Sequence, residues 1–218
     1  MNPRNASLQT LRHIVVEGTI GVGKTSLARR LAASFNAALM LEDAEDNPFL
    51  ERFYRNPRSA ALPAQLFFLF QRARQLEVLR QQDLFATLHV SDYLFDKDRL
   101  FAQLNLEADE LNLYEQVYAR LAIDIPRPDL VIYLQAPADV LLQRIARRGI
   151  RYEQQIERAY LERLNHAYAS FFYDYRAAPL LIVNAAQADF VNRDQDYEQL
   201  LTELLRVKSG RHYFNPAY

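Results

Sequence analysis

The chain has no cysteine and no tryptophan. Without cysteine, disulfides, thiolate metal sites and cysteine nucleophiles are excluded together. A cysteine-free chain suits a reducing compartment, and a cytoplasmic location is expected. Charge imbalance is missing too. There are 26 Lys+Arg against 27 Asp+Glu, a net charge of -1, so no basic footprint for nucleic acid is present. No apolar run approaches the length of a membrane span. The opening MNPRNASLQTLRHIVVEG is broken by polar and charged residues before a signal-peptide core can form. Neither nucleic acid nor membrane is an expected partner. Half of the 218 residues are hydrophobic and 24% are charged. That composition supports a single folded domain over 1–218, with residues 1–11 as a loose leader.

Glycine and lysine are also scarce, and what there is of them is concentrated. Three of the five glycines, Gly18, Gly21 and Gly23, fall within six residues, and Lys24 follows them directly. The other lysines are Lys97 and Lys208, in a chain that otherwise relies on arginine. Gly18-Thr19-Ile20-Gly21-Val22-Gly23-Lys24-Thr25 fits the pattern G-x-x-x-x-G-K-[ST]. In this pattern the glycines let consecutive N–H groups curl around phosphate oxygens. The lysine reaches the terminal phosphates, and the threonine hydroxyl ligates Mg²⁺. The next helix presents its positive end to the same anion. The expected phosphate-binding residues are Gly18, Gly21, Val22, Gly23, Lys24, Thr25 and Ser26. ATP and Mg²⁺ are the expected cofactors.

The context is right for that reading. His13 to Glu17 is a short β-branched run of the kind that forms a buried strand, and Thr25 to Phe35 has helical spacing. Further apolar runs at 38–41, 88–91, 130–134 and 180–183 read as strands. Helices are expected at about 48–54, 60–82, 93–121, 137–148, 152–175 and 197–207. Such alternation indicates an α/β fold in three layers, a five-stranded parallel sheet flanked by helices. Ligands then collect at the carboxyl ends of the strands, where Gly18, Glu42 and Asp92 lie. A GTPase switch of the form D-x-x-G is absent, because Gly149 and Gly210 are preceded at that distance by Ala146 and Val207.

The chain resembles the deoxynucleoside kinase family, in particular its bacterial deoxyadenosine/deoxyguanosine kinase branch. The resemblance runs through VVEGTIGVGKTSLA, LEDAEDNPFLERFY, AQLFFLFQRAR, SDYLFDKDRLFA, RIARRGIRYE and NAAQADFVN, in that order. It implies the P-loop kinase fold with a short arginine-rich lid at about 144–153, and it implies a homodimer. It also implies transfer of the γ-phosphate of ATP to the 5′-hydroxyl of a deoxynucleoside, with purines favoured. Glu42 matches the family's general base, with Asp43 its adjacent rival. Tyr54 and Glu153 match residues that hold the sugar. Gln65, Arg72 and Asp98 match those facing the nucleobase. Asp92 matches the acid near Mg²⁺. Arg144 and Arg148, one helical turn apart, match lid residues that close on the phosphates, and with Glu42 and Lys24 they are the expected catalytic set. Gln187 to Val191 resembles the loop around the adenine of ATP.

Three departures stand out. Asp43-Ala44 follows the glutamate where the family has proline. Tyr93 and Leu94 stand where it has arginine and serine, leaving Lys97 and Arg99 as the nearby cations. Ile150 separates Gly149 from Arg151. The rival readings are a thymidylate-kinase-like monophosphate kinase and a non-catalytic ATP-binding regulatory module.

Overall fold

The computed structural model describes residues 11–82, 88–121 and 126–216, without the side chains of 78–82. Residues 1–10 of the expected leader lie outside this range. Strand β1 (His13–Gly18) runs at the centre of the sheet. It is flanked by β3 (His89–Ser91) and β4 (Leu130–Gln135). Strand β2 (Ala38–Met40) lies outside β3, and β5 (Leu180–Asn184) outside β4. A sixth strand, β6 (Arg211–Phe214), completes the order β2-β3-β1-β4-β5-β6. All neighbouring pairs are parallel.

The expected sheet is therefore one strand short. The missing strand is the sequence Arg-His-Tyr-Phe, which lacks the apolar run that marks a buried strand. Its place on the edge leaves it only partly buried, so its polar residues cost nothing there.

Helices cover both faces because the central strands are apolar on both sides. Ile14, Val16 and Ile132 face one layer. Their partners are Leu27 and Leu31 of α1 (Lys24–Phe35), Leu141 and Ile145 of α6 (Ala138–Arg148), and Leu200 of α8 (Asp194–Leu204). Val15, Val131 and Tyr133 face the other layer, as the period of two in a strand requires. They meet Leu100 of α4 (Lys97–Asn105) and Leu164, Tyr168 and Phe172 of α7 (Arg158–Asp174). Helix α2 (Leu50–Arg55) packs on the start of α3 (Pro57–Gln82) through Leu50, Phe53, Ala60 and Ala64. Further along α3, Leu69 and Leu76 meet Phe95, Ala102 and Tyr114, the last from α5 (Ala108–Leu121).

Two elements differ from the sequence reading in kind. The helical region expected to run to about Leu121 resolves into two helices, divided where Leu106 turns extended. The helix expected from Tyr152 begins only at Arg158. Residues Arg151–Gln155 instead form a 3₁₀ turn, and Ile156 is extended. Among the described residues no helix is long and apolar enough to cross a membrane.

Candidate active site

The carboxyl edge of the sheet carries the site. Gly18 ends β1 and α1 begins at Lys24, so the loop joins the central strand directly to a helix N-terminus. Gly18, Gly21 and Gly23 all have positive φ. At Gly18 there is a second constraint, because a β-carbon there would stand 2.4 Å from the Leu134 carbonyl oxygen of β4. At the head of α1 no side chain caps the helix and no acid lies in its first turn. Its unsatisfied N–H groups suit an anion. Lys24 donates to the Gly18 carbonyl at 2.8 Å. Burial, followed by the Lys97 ammonium, lowers its pKa from the usual lysine value. Thr19 is tied to α7 by a 2.6 Å hydrogen bond to Asn165.

Next to this loop lies a cavity of about 640 Å³. Lys24, Thr25, Ser26, Glu42, Tyr54, Gln65, Arg72, Asp92, Lys97, Arg148 and Glu153 all contribute to its wall. Glu42 follows β2 and stands at the centre of the charge network. Its Oε1 accepts from Nε of Arg72 at 2.9 Å and from a terminal guanidinium nitrogen of the same residue. Its Oε2 accepts from Lys97 at 3.0 Å. Burial opposes the charge on Glu42, but Arg72 and Lys97 outweigh it and hold the carboxyl well below the ordinary range.

Arg72 continues the network by pairing with Asp98. The Gln65 amide donates to both the Asp98 carbonyl, at 2.9 Å, and its carboxylate. The two oxygen acceptors fix the amide's orientation and leave its own oxygen for the cavity. Asp98 is fully buried and also accepts from Tyr114 at 2.9 Å. Asp98 therefore stands behind the wall of the cavity, organising Gln65 and Arg72, which line it.

Asp92 ends β3. One of its oxygens accepts from Thr25 and the other from the backbone N–H of Glu42, at 2.8 Å. Burial raises its pKa. The hydroxyl–carboxylate pair of Thr25 and Asp92 offers hard oxygen donors beside the phosphate loop. That set fits Mg²⁺, which takes one or two protein ligands and completes its shell with water and phosphate.

The residues expected to form the lid divide. Arg148 closes on Glu153 at 2.9 Å, at the edge of the cavity. Gly149 ends α6 in the left-handed conformation. Arg144 turns elsewhere, donating to the carbonyls of Val22 at 3.1 Å and Ala185 at 2.7 Å. It does not reach the cavity wall. Tyr54 stacks on Tyr152 with centroids 5.9 Å apart, and burial raises its pKa. In the loop 187–193, Asp189 accepts from the backbone N–H groups of Val191 and Asn192. Arg30 of α1 anchors the same loop through the carbonyls of Phe190 and Val191.

Sequence reasoning missed Tyr114, whose distance along the chain from Asp98 carries no signal. It also missed Glu17, a fully buried acid. Glu17 accepts from Gly18 N–H, Leu94 N–H and the Tyr168 hydroxyl, pinning the loop to two other elements. Of the departures, Tyr93 is buried with its ring 5.8 Å from the Arg72 guanidinium. Leu94 packs in the core beside Val15. Asp43, which stands where the family proline would, caps a 3₁₀ turn formed by Ala44–Asp46.

A glycine loop between a central parallel strand and a helix, with a carboxylate and two lysines on one cavity, defines a P-loop phosphotransferase. Comparison with known proteins narrows this. The deoxynucleoside kinase family profile matches residues 14–207. A deoxyguanosine kinase of Bacillus subtilis is 35% identical over 198 residues, covering 88% of this chain and 96% of its own. A deoxyadenosine kinase of Dictyostelium discoideum is 30% identical over 209 residues, covering 92% and 83%. The structure of deoxyadenosine kinase from M. mycoides with bound dATP superposes with a TM-score of 0.75 at 24% identity. It covers 88% of this chain and 98% of that one. The chain belongs to the deoxynucleoside kinase family and is accordingly an enzyme of deoxynucleoside phosphorylation.

Proposed function

We propose that this protein transfers the γ-phosphoryl group of ATP to the 5′-hydroxyl of a purine deoxynucleoside. The observation that carries this reading is the placement of Glu42 on the same cavity wall as Lys24 and Thr25. A neutral sugar hydroxyl can approach a carboxylate there, whereas an acceptor phosphate would be repelled by it. Glu42 accepts the hydroxyl proton as the oxygen attacks phosphorus. The loop N–H groups, Lys24 and Arg148 neutralise the phosphates. Tyr54 and Glu153 hold the sugar. Gln65 and Arg72 meet the nucleobase, with Asp98 fixing both. Arg144 would reach the phosphates only by exchanging the carbonyls it now binds. Thr25 and Asp92 would hold Mg²⁺, which would supply charge neutralisation for the phosphates. The reading extends to a cytoplasmic homodimer, supported by Phe70 on α3 and Leu113 on α5, large apolar side chains left 44% and 48% exposed.

The test is a panel of deoxynucleosides and nucleoside monophosphates assayed with labelled ATP. The expected products are labelled 5′-monophosphates, foremost from deoxyadenosine or deoxyguanosine. Label transferred exclusively to monophosphates overturns the reading in favour of a monophosphate kinase. ATP binding without transfer to any nucleoside overturns it in favour of a regulatory module.

A further inference from the structure

The cavity wall contains two cations that these roles do not use, the exposed Arg29 and the buried Lys97. Lys97 opens α4 and is only 2% exposed, yet it lines the cavity. Burying an ammonium is costly unless it is well paired, and here the pairing is thin. Among the described residues a single acceptor lies within hydrogen-bonding distance of Nζ, namely Oε2 of Glu42 at 3.0 Å. Glu17 stands further off at 3.9 Å and is already supplied by three other donors. The ring of Phe101 lies 5.8 Å away. An ammonium carries three N–H donors, so Lys97 keeps donors for a further acceptor. Glu42 for its part does not need Lys97 as its sole counter-ion, because Arg72 already binds its other oxygen through two nitrogens.

The neighbouring sequence concentrates the burden on this residue. Tyr93 and Leu94 bring no charge. Arg99, the other cation of the segment, turns outward and pairs with Glu115 at 2.9 Å, half-exposed. Two lysines therefore border the carboxylate, Lys24 from the phosphate loop and Lys97 from α4. Like charges held in one cavity call for an anion between them.

We propose that Lys97 is a catalytic residue that binds the reacting 5′-oxygen and then the phosphoryl group it acquires. A hydroxyl hydrogen-bonded to Oε2 of Glu42 lies within reach of Nζ, since the two atoms are 3.0 Å apart. In the transfer, the hydroxyl proton passes to Glu42 and the 5′-oxygen forms its bond to the γ-phosphorus. The bond from that phosphorus to the β,γ-bridging oxygen breaks, and its electron pair leaves with ADP. Lys97 keeps its proton throughout and ends hydrogen-bonded to the new 5′-phosphate. This rests on the phosphoryl-transfer reading above.

The test compares wild type with Lys97→Met, Lys97→Gln and Lys97→Arg. Turnover is measured with the best deoxynucleoside, and binding of that nucleoside and of its 5′-monophosphate is measured by calorimetry. Loss of one oxyanion donor predicts a fall in kcat of about 10²-fold for Lys97→Met and Lys97→Gln. The KM for nucleoside should hold within about threefold. Monophosphate affinity should fall about tenfold or more while nucleoside affinity is kept. Lys97→Arg should restore monophosphate binding and part of kcat. Lys97→Gln retains a donor toward Glu42, so it decides the matter if the methionine variant does not fold. A glutamine variant with near-normal kcat, or one losing nucleoside and monophosphate affinity equally, would reduce Lys97 to a tether for Glu42 and overturn the proposal. Failure of the wild type to phosphorylate any deoxynucleoside would instead remove the function itself.

Discussion

The charge on Glu42 is held against its burial by the cations around it, Arg72 and Lys97 foremost. Burial alone would raise its pKa; Arg72 and Lys97 reverse the sign. A lowered folded-state value means that the carboxylate stabilises the fold above its unfolded pKa. That contribution is lost as pH falls through the lowered value. The variant Glu42→Gln removes both the base and this linkage. Its kcat should fall by about 10²–10⁴ with ATP affinity nearly intact, as initial rates and calorimetry would read. In urea unfolding, the stability gap between wild type and variant should be open at neutral pH. It should narrow as pH drops below about 4.3, the ordinary glutamate value. An unchanged gap at acid pH would contradict the charge network. Residues of this kind were legible in the sequence when a motif or a turn boundary marked them. Lys24 follows the glycines, Glu42 and Asp92 follow strands, and Gln65 and Arg72 lie two helical turns apart. Tyr114 and Glu17 were not legible, because their partners come from distant elements. The placement of Arg144 was not legible either: its spacing from Arg148 is helical, but its guanidinium donates to carbonyls on two other loops.

At the scale of elements, the phosphate loop is held by close approach as much as by sequence motif. Gly18 and Gly23 both need positive φ, yet their surroundings differ. A β-carbon at Gly18 would meet backbone of β4, whereas one at Gly23 meets nothing within 4 Å. Gly18→Ala should therefore destabilise by about 3 kcal/mol or more, since β1 and β4 must separate. Gly23→Ala should cost about 1–2 kcal/mol, the penalty of a left-handed L-residue. Denaturant melts of the two variants give the comparison, and equal losses would mean that the contact with Leu134 is relieved easily. The apolar strands and the helices with regular spacing could be read from sequence. The division at Leu106 and the 3₁₀ turn at Arg151–Gln155 could not, because neither carries a glycine or proline to announce the break.

At the scale of the molecule, loop, base and lid come from separate stretches of the chain that meet at the carboxyl edge of the sheet. Ligands bridging them stabilise the whole fold. At 100 times its dissociation constant, a bound deoxynucleoside or ATP contributes about 2.7 kcal/mol. For a chain of this size that raises Tm by about 5–10 °C, readable in a thermal melt. No shift with any purine deoxynucleoside would count against the cavity as their site.

The sixth strand has a consequence of its own. The family match stops at residue 207 and β6 begins at Arg211. Strand β5 beneath it is Leu-Leu-Ile-Val-Asn, with its first four residues buried. Trimming the chain to the family boundary would strip a polar selvedge from an oily strand and bare its ladder of N–H and C=O groups. Such an edge recruits other chains. A protein ending at Val207 should scatter light within hours at concentrations where the full chain stays clear, with its catalytic residues untouched.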